Sequence, residues 1–428
     1  MRVFDKSIEF LARAERVIPL GSQTFSKSRT QYPVGVSPHF ISRAKGSRVW
    51  DLDGNEYIDF VNSLASVTLG YQDPDVTAAV RAQLEIGVIF SLAHPLETEV
   101  AELICEAVPC AEMVRFGKNG SDATAGAIRL ARAFTNRDHV AVCGYHGWQD
   151  WYIGSTARNR GVPRVTRDLT HPFSYNDLES LRVVLEGHRQ EFAAVILEPM
   201  NINEPQAGFL QGVKQLARDH GAVLIFDETI TGFRFASGGA QALFGVTPDL
   251  ATFGKGLANG YPISAVVGRR EIMKLMEEVF FSFTFGGEAL SLAAAKATLL
   301  KLKSDPILDT MRTRGIEVID GTRGIIESHE LGDVFSVSGH PTWSFLSIRD
   351  SRGHTAFEIK TFLMQELHQR GLLSVGTHNI SYAHSKADIA ALIGAYADVL
   401  PTIGKLLDAD ALRTTLRCKP LVPLFKIR

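Results

Sequence analysis

The chain has 428 residues, of which 45% are hydrophobic and 21% charged, with a formal net charge of −2. That length exceeds one small core and predicts two lobes or more. The near-neutral balance offers no basic field for nucleic acid or an anionic membrane surface.

Cys105, Cys110, Cys143 and Cys418 form no C-x-x-C pair, so neither a metal site nor a disulfide framework is expected, in keeping with a cytoplasmic location. Residues 1–10 carry acids early and lack a continuous apolar run, so no signal peptide is expected. No apolar run approaches the roughly 18 residues of a membrane span.

In chain order, residues 8–18 read as an amphipathic helix, followed by a polar loop over 19–29 and a hairpin over 43–60 with Asp53-Gly54 at its turn. Helices are predicted over 75–85 and 97–107. Short Val/Ile-rich runs then alternate with helical stretches, at 113–116, 140–143, 193–197, 223–226, 250–253 and 263–267. Such alternation predicts an α/β fold, a mostly parallel sheet covered by helices on both faces. Beyond a helix at 291–303, strand-like runs at 334–338 and 344–348 and helices at 356–370 and 387–400 predict a small α+β lobe. Pro420 and Pro423 predict an extended tail over 413–428. The expected division is 1–60 (part of the small lobe), 61–304 (the large domain) and 305–428.

Ligands of parallel sheets bind beyond the carboxyl ends of the strands. Four predicted strands end at Cys143, Leu197, Phe226 and Phe253, and Tyr145, Glu198, Asp227 and Lys255 follow within two positions. Lys255 stands between two glycines, and Asp227 closes an apolar run. An amine that reaches a carbonyl carbon and a carboxylate that holds a pyridinium nitrogen are what a pyridoxal phosphate (PLP) enzyme requires of its protein. Taken singly, Gly254-Lys255-Gly256 reads as a solvated turn and Asp227 as a helix cap.

Three more segments agree. Asn119, Gly120 and Ser121 precede an Ala-rich helical run, where unpaired N–H groups and the helix dipole favour a phosphate, although an ordinary N-cap has the same look. Gly144-Tyr145-His146-Gly147 exposes an aromatic ring that can stack on a planar cofactor, with His146 beside it, or pack at a sheet edge. Thr284, ahead of Gly286-Gly287, offers a hydroxyl to a phosphate or sits in a plain loop.

Together and in this order, these motifs resemble the class III aminotransferases of fold type I, nearest the glutamate-semialdehyde aminomutase branch, over residues 10–400. The resemblance implies that Lys255 carries PLP and that Asp227 keeps its ring nitrogen protonated. It implies that Tyr145 and Thr229 pack on opposite ring faces, and that Asn119, Gly120 and Ser121 hold the phosphate. Thr284 is implied to reach the phosphate of a partner subunit in a homodimer with shared active sites, and Glu198 matches a Glu-Pro position near the site.

Departures from that pattern fall on the substrate side. Lys118-Asn119-Gly120-Ser121-Asp122-Ala123 stands where the family has Asn-Ser-Gly-Thr-Glu-Ala, with hydrogen-bonding groups kept. The aminomutase Ser-Pro-Val-Arg segment is Thr24-Phe25-Ser26-Lys27 here, with Lys27 the nearest candidate or Arg29 if the loop shifts, and Lys27 lacks the planar fork that grips a carboxylate at two points. His378 and Asn379 replace another aminomutase segment. Gln23, Ser26, Lys27, His378 and Asn379 suit a polar, hydroxyl-rich or phosphorylated substrate. The expectation is an aminotransferase acting on an amino donor and a carbonyl acceptor of keto-sugar or related kind. An intramolecular aminomutase is the alternative, and a non-catalytic scaffold the third reading.

Overall fold

Seven short strands form one sheet in the computed structural model, which describes residues 2–423. They are β1 (Met113–Gly117), β2 (His139–Cys143), β3 (Thr170–Pro172), β4 (Phe192–Leu197), β5 (Val223–Asp227), β6 (Leu250–Phe253) and β7 (Ser264–Gly268). Their order is β1-β7-β6-β5-β4-β2-β3. β7 runs antiparallel to both neighbours and every other pairing is parallel.

Every residue of β4, β5 and β6 is buried, which is why these strands are continuous apolar runs rather than alternating ones. β3 is the strand that periodicity misses: Thr-His-Pro carries no apolar pattern, and its proline is tolerated because β3 is an edge.

Register decides where the chemistry gathers. Cys143 pairs with Leu197, Leu197 with Phe226 and Asp227 with Thr252, so four parallel strands end along one edge. β1 ends on that edge too, since Gly117 pairs with Ser264 at the start of antiparallel β7. Three residues later begins α1 (Gly120–Thr135), which buries Ala123, Ala127, Ile128, Leu130 and Ala131 and stops at Asn136 in the left-handed conformation that ends many helices.

These elements belong to a compact unit spanning 74–308; residues 2–73 and 309–423 form a second one. The division falls at Asp73/Pro74 rather than after residue 60. Residues 61–73 hydrogen-bond within the second unit: Gly46 pairs with Tyr71, and the Tyr71 hydroxyl donates to Asp59 over 2.7 Å.

That second unit holds an antiparallel meander (Ile41–Lys45, Arg48–Asp51, Glu56–Asp59) extended by Leu372–Leu373, and a three-stranded sheet of Phe335–His340, Trp343–Ile348 and Thr377–Asn379. Its 22-residue helix Ile307–Ser328 is not anticipated by periodicity. Glycines and β-branched residues dilute the helical signal there, and Gly315 is needed because a Cβ would collide with the Pro341 carbonyl. Leu412–Thr415 adds one helical turn where an extended tail is expected, and residues 424–428 of that expected tail lie outside the described residues.

Contrary to the reading of apolar runs, one helix, Lys386–Asp408, is long and apolar enough by composition to cross a membrane. Here Ile389, Leu392, Tyr396, Val399, Leu400, Ile403 and Leu407 are buried along it.

Candidate active site

Asp227, the last residue of β5, is buried and fully engaged. Its Oδ1 accepts from the Thr229 amide (3.1 Å), the Thr229 hydroxyl (2.6 Å) and the Thr252 hydroxyl (3.0 Å). Its Oδ2 lies 2.9 Å from His146 Nδ1, and His146 Nε2 lies 3.2 Å from the Cys143 carbonyl. Burial alone pushes the Asp227 carboxyl up. The hydrogen bond and charge of His146, with the Thr229 donors, outweigh it and hold the group below the usual carboxylate range. A buried carboxylate kept ionised suits a cationic ring N–H.

His146 therefore does not stand beside Tyr145 as a second ring for a ligand. It is buried beneath Asp227 and acts through it. The Tyr145 ring is half exposed, and its hydroxyl is raised by burial and by the charges of Asp227 and Glu198. Glu198, at the end of β4, accepts from the Tyr145 amide (3.0 Å) and the Asn201 side-chain amide (2.8 Å). Burial, reinforced by the Asp227 charge, raises the Glu198 carboxyl.

Lys255 follows β6 and Gly254 with φ of 41°, a left-handed backbone that is uncommon for lysine. Burial lowers the pKa of its amine, against the opposing pull of Glu198 and Asp227, and the Arg234 charge adds to the lowering. A neutral amine is the nucleophilic form.

The helix entry closes around the same carboxylate. A Cβ on Gly120 would stand 3.0 Å from Thr229 Cγ2, and one on Gly254 would stand 3.3 Å from it. Gly147 has φ of 103°, and a Cβ there would collide with Ser121 Oγ. The Thr124 hydroxyl donates to the His146 carbonyl (2.9 Å), and the Trp148 amide to Ser121 Oγ (3.4 Å). Thus Asn119, Gly120 and Ser121 border the loop carrying Tyr145, with Thr229 between them and Asp227.

Thr284 is not part of this cluster within one chain; it is exposed. Phe280, Phe283 and Phe285 around it are exposed as well.

The substrate-side residues belong to the second unit. Gln23, Ser26 and Lys27 are exposed, and Lys27 Nζ donates to Ser63 Oγ at 3.4 Å. Gln23 and Lys27 line a cavity of about 560 Å³ together with Tyr32, His39, Ser63 and Leu64. His378 and Asn379 are interior. His378 joins Ser344 Oγ (2.9 Å) to the Tyr396 hydroxyl (2.8 Å), and burial pushes it down to about 4. The Asn379 side-chain amide donates to the Val61 carbonyl (2.6 Å). Both ring nitrogens of His378 are spent on the fold, and Asn379 is buried with its Oδ1 left without a partner among the described residues, which corrects the expectation that they are open to a substrate.

Residues 31–383 match the family model described as Aminotransferase class-III. The chain belongs to the class-III aminotransferases. It is 34% identical to the 3-aminobutyryl-CoA aminotransferase of Cloacimonas acidaminovorans over 94% of this chain and 98% of that protein. It is 41% identical to a glutamate-1-semialdehyde 2,1-aminomutase of Alkaliphilus oremlandii, over 78% of this chain and 83% of that one. Among solved structures, the PLP form of the Sphingopyxis sp. MTA144 FumI protein superposes with a TM-score of 0.87 at 29% identity, covering 97% and 99% of the two chains.

As a class-III aminotransferase, the protein is a PLP-dependent enzyme of fold type I. The residues fit the cofactor: an ionised buried carboxylate, a lysine of lowered basicity, and a helix entry where Gly120 and Gly147 leave no room for a Cβ.

Motif reading missed the residues that steady this arrangement. Thr252 adds a hydroxyl to Asp227, and Gly144, with φ of 109°, lets Glu198 approach where a Cβ would intrude. Glu228, next to Asp227, is fully buried and faces elsewhere: it accepts from the amides of Ala240 (2.6 Å) and Gln241 (2.9 Å) at the start of helix Gly239–Phe244. Burial raises the Glu228 carboxyl, whose hydrogen bonds only partly offset it. Asp227 is the last residue of β5 and Glu228 lies just beyond the strand, so position relative to the apolar run is the signal that separates the two acids.

Proposed function

We propose that this enzyme transfers an amino group between a separate amino donor and a polar carbonyl acceptor, with Lys255 and Asp227 as its catalytic residues. The observation that carries the reading is the buried Asp227 carboxylate, held ionised by His146 and Thr229 beside an amine of lowered basicity.

When bound, PLP supplies the electron sink for a carbanion next to nitrogen. Asp227, held ionised, would favour a protonated ring nitrogen by opposing its charge. Lys255 would hold the cofactor, and its amine would serve as the base that moves a proton at the substrate carbon. Tyr145 and Thr229 would pack against the cofactor ring. Asn119, Gly120 and Ser121 hold the phosphate, and Glu198 orients the Tyr145 loop through the amide it accepts.

The proposed acceptor is a keto-sugar or related metabolite carrying hydroxyl or anionic groups. Supporting it are Lys27, a point charge where the aminomutase branch has arginine, and its polar neighbours Gln23 and Ser26. A homodimer, working in the cytoplasm, is part of the proposal. Exposed Phe280, Phe283 and Phe285 around Thr284 form an apolar surface suited to a second copy, whose phosphate Thr284 would reach.

The decisive experiment offers a panel of amino donors with sugar and small keto acceptors and follows pyridoxamine phosphate formation. Turnover requiring both a donor and an acceptor is expected. Conversion of one amino compound to its positional isomer at full rate without a donor would establish the aminomutase instead. Mixing Thr284→Ala with Lys255→Ala chains tests the dimer, because a mixed pair retains one site with both groups intact. Activity should recover in the mixture.

A further inference from the structure

At the opposite end of the sheet, three histidines far apart in the chain converge. His139 opens β2, His171 sits in edge strand β3, and His188 caps the carboxyl end of helix Leu178–Gly187. One ligand-type atom from each lies within 4.8 Å of the others. The three imidazoles pack around the buried ring of Phe192, at centroid distances of 5.8, 5.4 and 6.3 Å.

His139 Nδ1 and His171 Nε2 are 2.7 Å apart and share one proton. A single carboxylate oxygen, Glu191 Oε2, lies 3.2 Å from His139 Nε2 and 3.4 Å from His188 Nδ1. We propose that His139, His171 and His188 bind one divalent late-transition-metal ion of the Zn²⁺ or Ni²⁺ class, oriented by Glu191.

The chemistry is consistent at each ligand. Imidazole nitrogens suit these ions, and a metal–nitrogen bond of about 2.0–2.1 Å in a tetrahedral site sets ligand nitrogens about 3.3 Å apart. The existing separations need only side-chain adjustment to reach that. Metal ligation requires a lone pair on each ring.

The shared proton has a destination. If His139 takes the Nε2–H tautomer, that proton points to Glu191, and Nδ1 presents its lone pair beside His171 Nε2. No proton is gained or lost in this step. A carboxylate accepting the distal N–H of a ligating histidine is a recurrent partner of such sites.

The site is separate from the catalytic one. Tyr145 and His146 follow Cys143, and β2 advances about 3.3 Å per residue from His139, so the strand alone separates the two ends by roughly 13 Å. The ion would tie edge strand β3 and a helix terminus to β2, which predicts a stabilising rather than a catalytic role.

The test uses the chelator-washed, tag-free, PLP-loaded enzyme titrated with ZnCl₂ alone near pH 7.5, read by calorimetry and by thermal midpoint. One equivalent is expected to bind at micromolar Kd or tighter, with a rise in midpoint. His171→Asn should weaken binding by about 100-fold and Glu191→Gln by about 10-fold. Should His171→Asn fail to fold, His188→Gln, at a half-buried helix end, should still cost at least about 10-fold with turnover unchanged. Zn²⁺ bound equally by wild type and His188→Gln overturns the proposal, as does the lack of any stoichiometric binding below 100 µM. A midpoint that follows pH but not Zn²⁺ also overturns it and makes the cluster a protonation site only.

Discussion

Two buried histidines show how differently one residue type behaves in the two units. His146, at the carboxyl edge of the large sheet, lies against Asp227; His378, inside the other unit, lies between the hydroxyls of Ser344 and Tyr396. Both are fully enclosed, and both stand out in the sequence as site candidates. The carboxylate partner makes His146 part of a charge arrangement that lowers the pKa of Asp227. Neutral hydroxyls leave burial to dominate at His378, which is pushed down to about 4 and serves as a structural bridge. Enclosure says little about function; the charge of the partner decides.

Substitutions in the first region should alter chemistry with little effect on stability, and substitutions in the second should do the reverse. The largest effect belongs to Lys255→Ala: turnover should fall by roughly 10³–10⁴-fold, with loss of the cofactor's bound visible absorbance. Full-strength absorbance in that variant would place the covalent link elsewhere.

Next is Asp227→Asn, which keeps the size and loses the charge. A fall of roughly 10²–10³-fold in kcat is expected, while the thermal midpoint of the cofactor-free protein changes little. His146→Asn should then follow Asp227→Asn in direction with a smaller loss, and shift the pH profile of kcat. A His146 variant that lost only stability would erase the contrast with His378.

Gly147→Ala places a Cβ against Ser121 Oγ at φ of 103°. Strain of about 1–3 kcal/mol at the phosphate-side loop predicts PLP affinity weakened about 10–100-fold, seen by titrating the cofactor, with kcat largely recovered at saturation.

In the second region, His378→Ala should unfold about 1–3 kcal/mol more easily, because it strands the Ser344 and Tyr396 hydroxyls, and should leave substrate KM unchanged. An increase in KM without loss of stability would return His378 to the substrate side.

The smallest effect concerns Glu358, which accepts from the Thr355 amide at the start of helix Ala356–Gln369 and pairs with Arg413. The Arg413 hydrogen bond, helped by the Thr355 donors against burial, lowers the carboxyl to about 2. A depressed folded-state pKa gives stability that is complete above the unfolded value of about 4.3 and is lost as pH falls toward 2. Glu358→Gln should cost about 1 kcal/mol at pH 7, as a weakened helix cap does, and flatten the acid limb of the denaturation curve below pH 4.5.

Much of the fold was legible because the large unit's central strands are buried on both faces, leaving continuous apolar runs that end on chemical residues. Asp227 and Lys255 were readable for the same reason: each directly follows such a run. Thr252 was not, since a threonine inside a strand reads as sheet propensity until register places it opposite Asp227. Helix Ile307–Ser328 was hidden in part because Gly315 answers to the Pro341 backbone, a neighbour that no local pattern reveals.

By itself, then, the order of residues determined the α/β class, the run-then-charge placement of Tyr145, Glu198, Asp227 and Lys255, and membership of the PLP-dependent enzymes, since periodicity and short motifs are local properties. Only the tertiary structure decided that Glu228, next to Asp227, is spent on the start of helix Gly239–Phe244. It also turned His378 and Asn379 inward, and brought His139, His171 and His188 around one phenyl ring. Those outcomes depend on contacts between residues distant in the chain, where burial and partner charge, rather than residue type, set what a polar group can do.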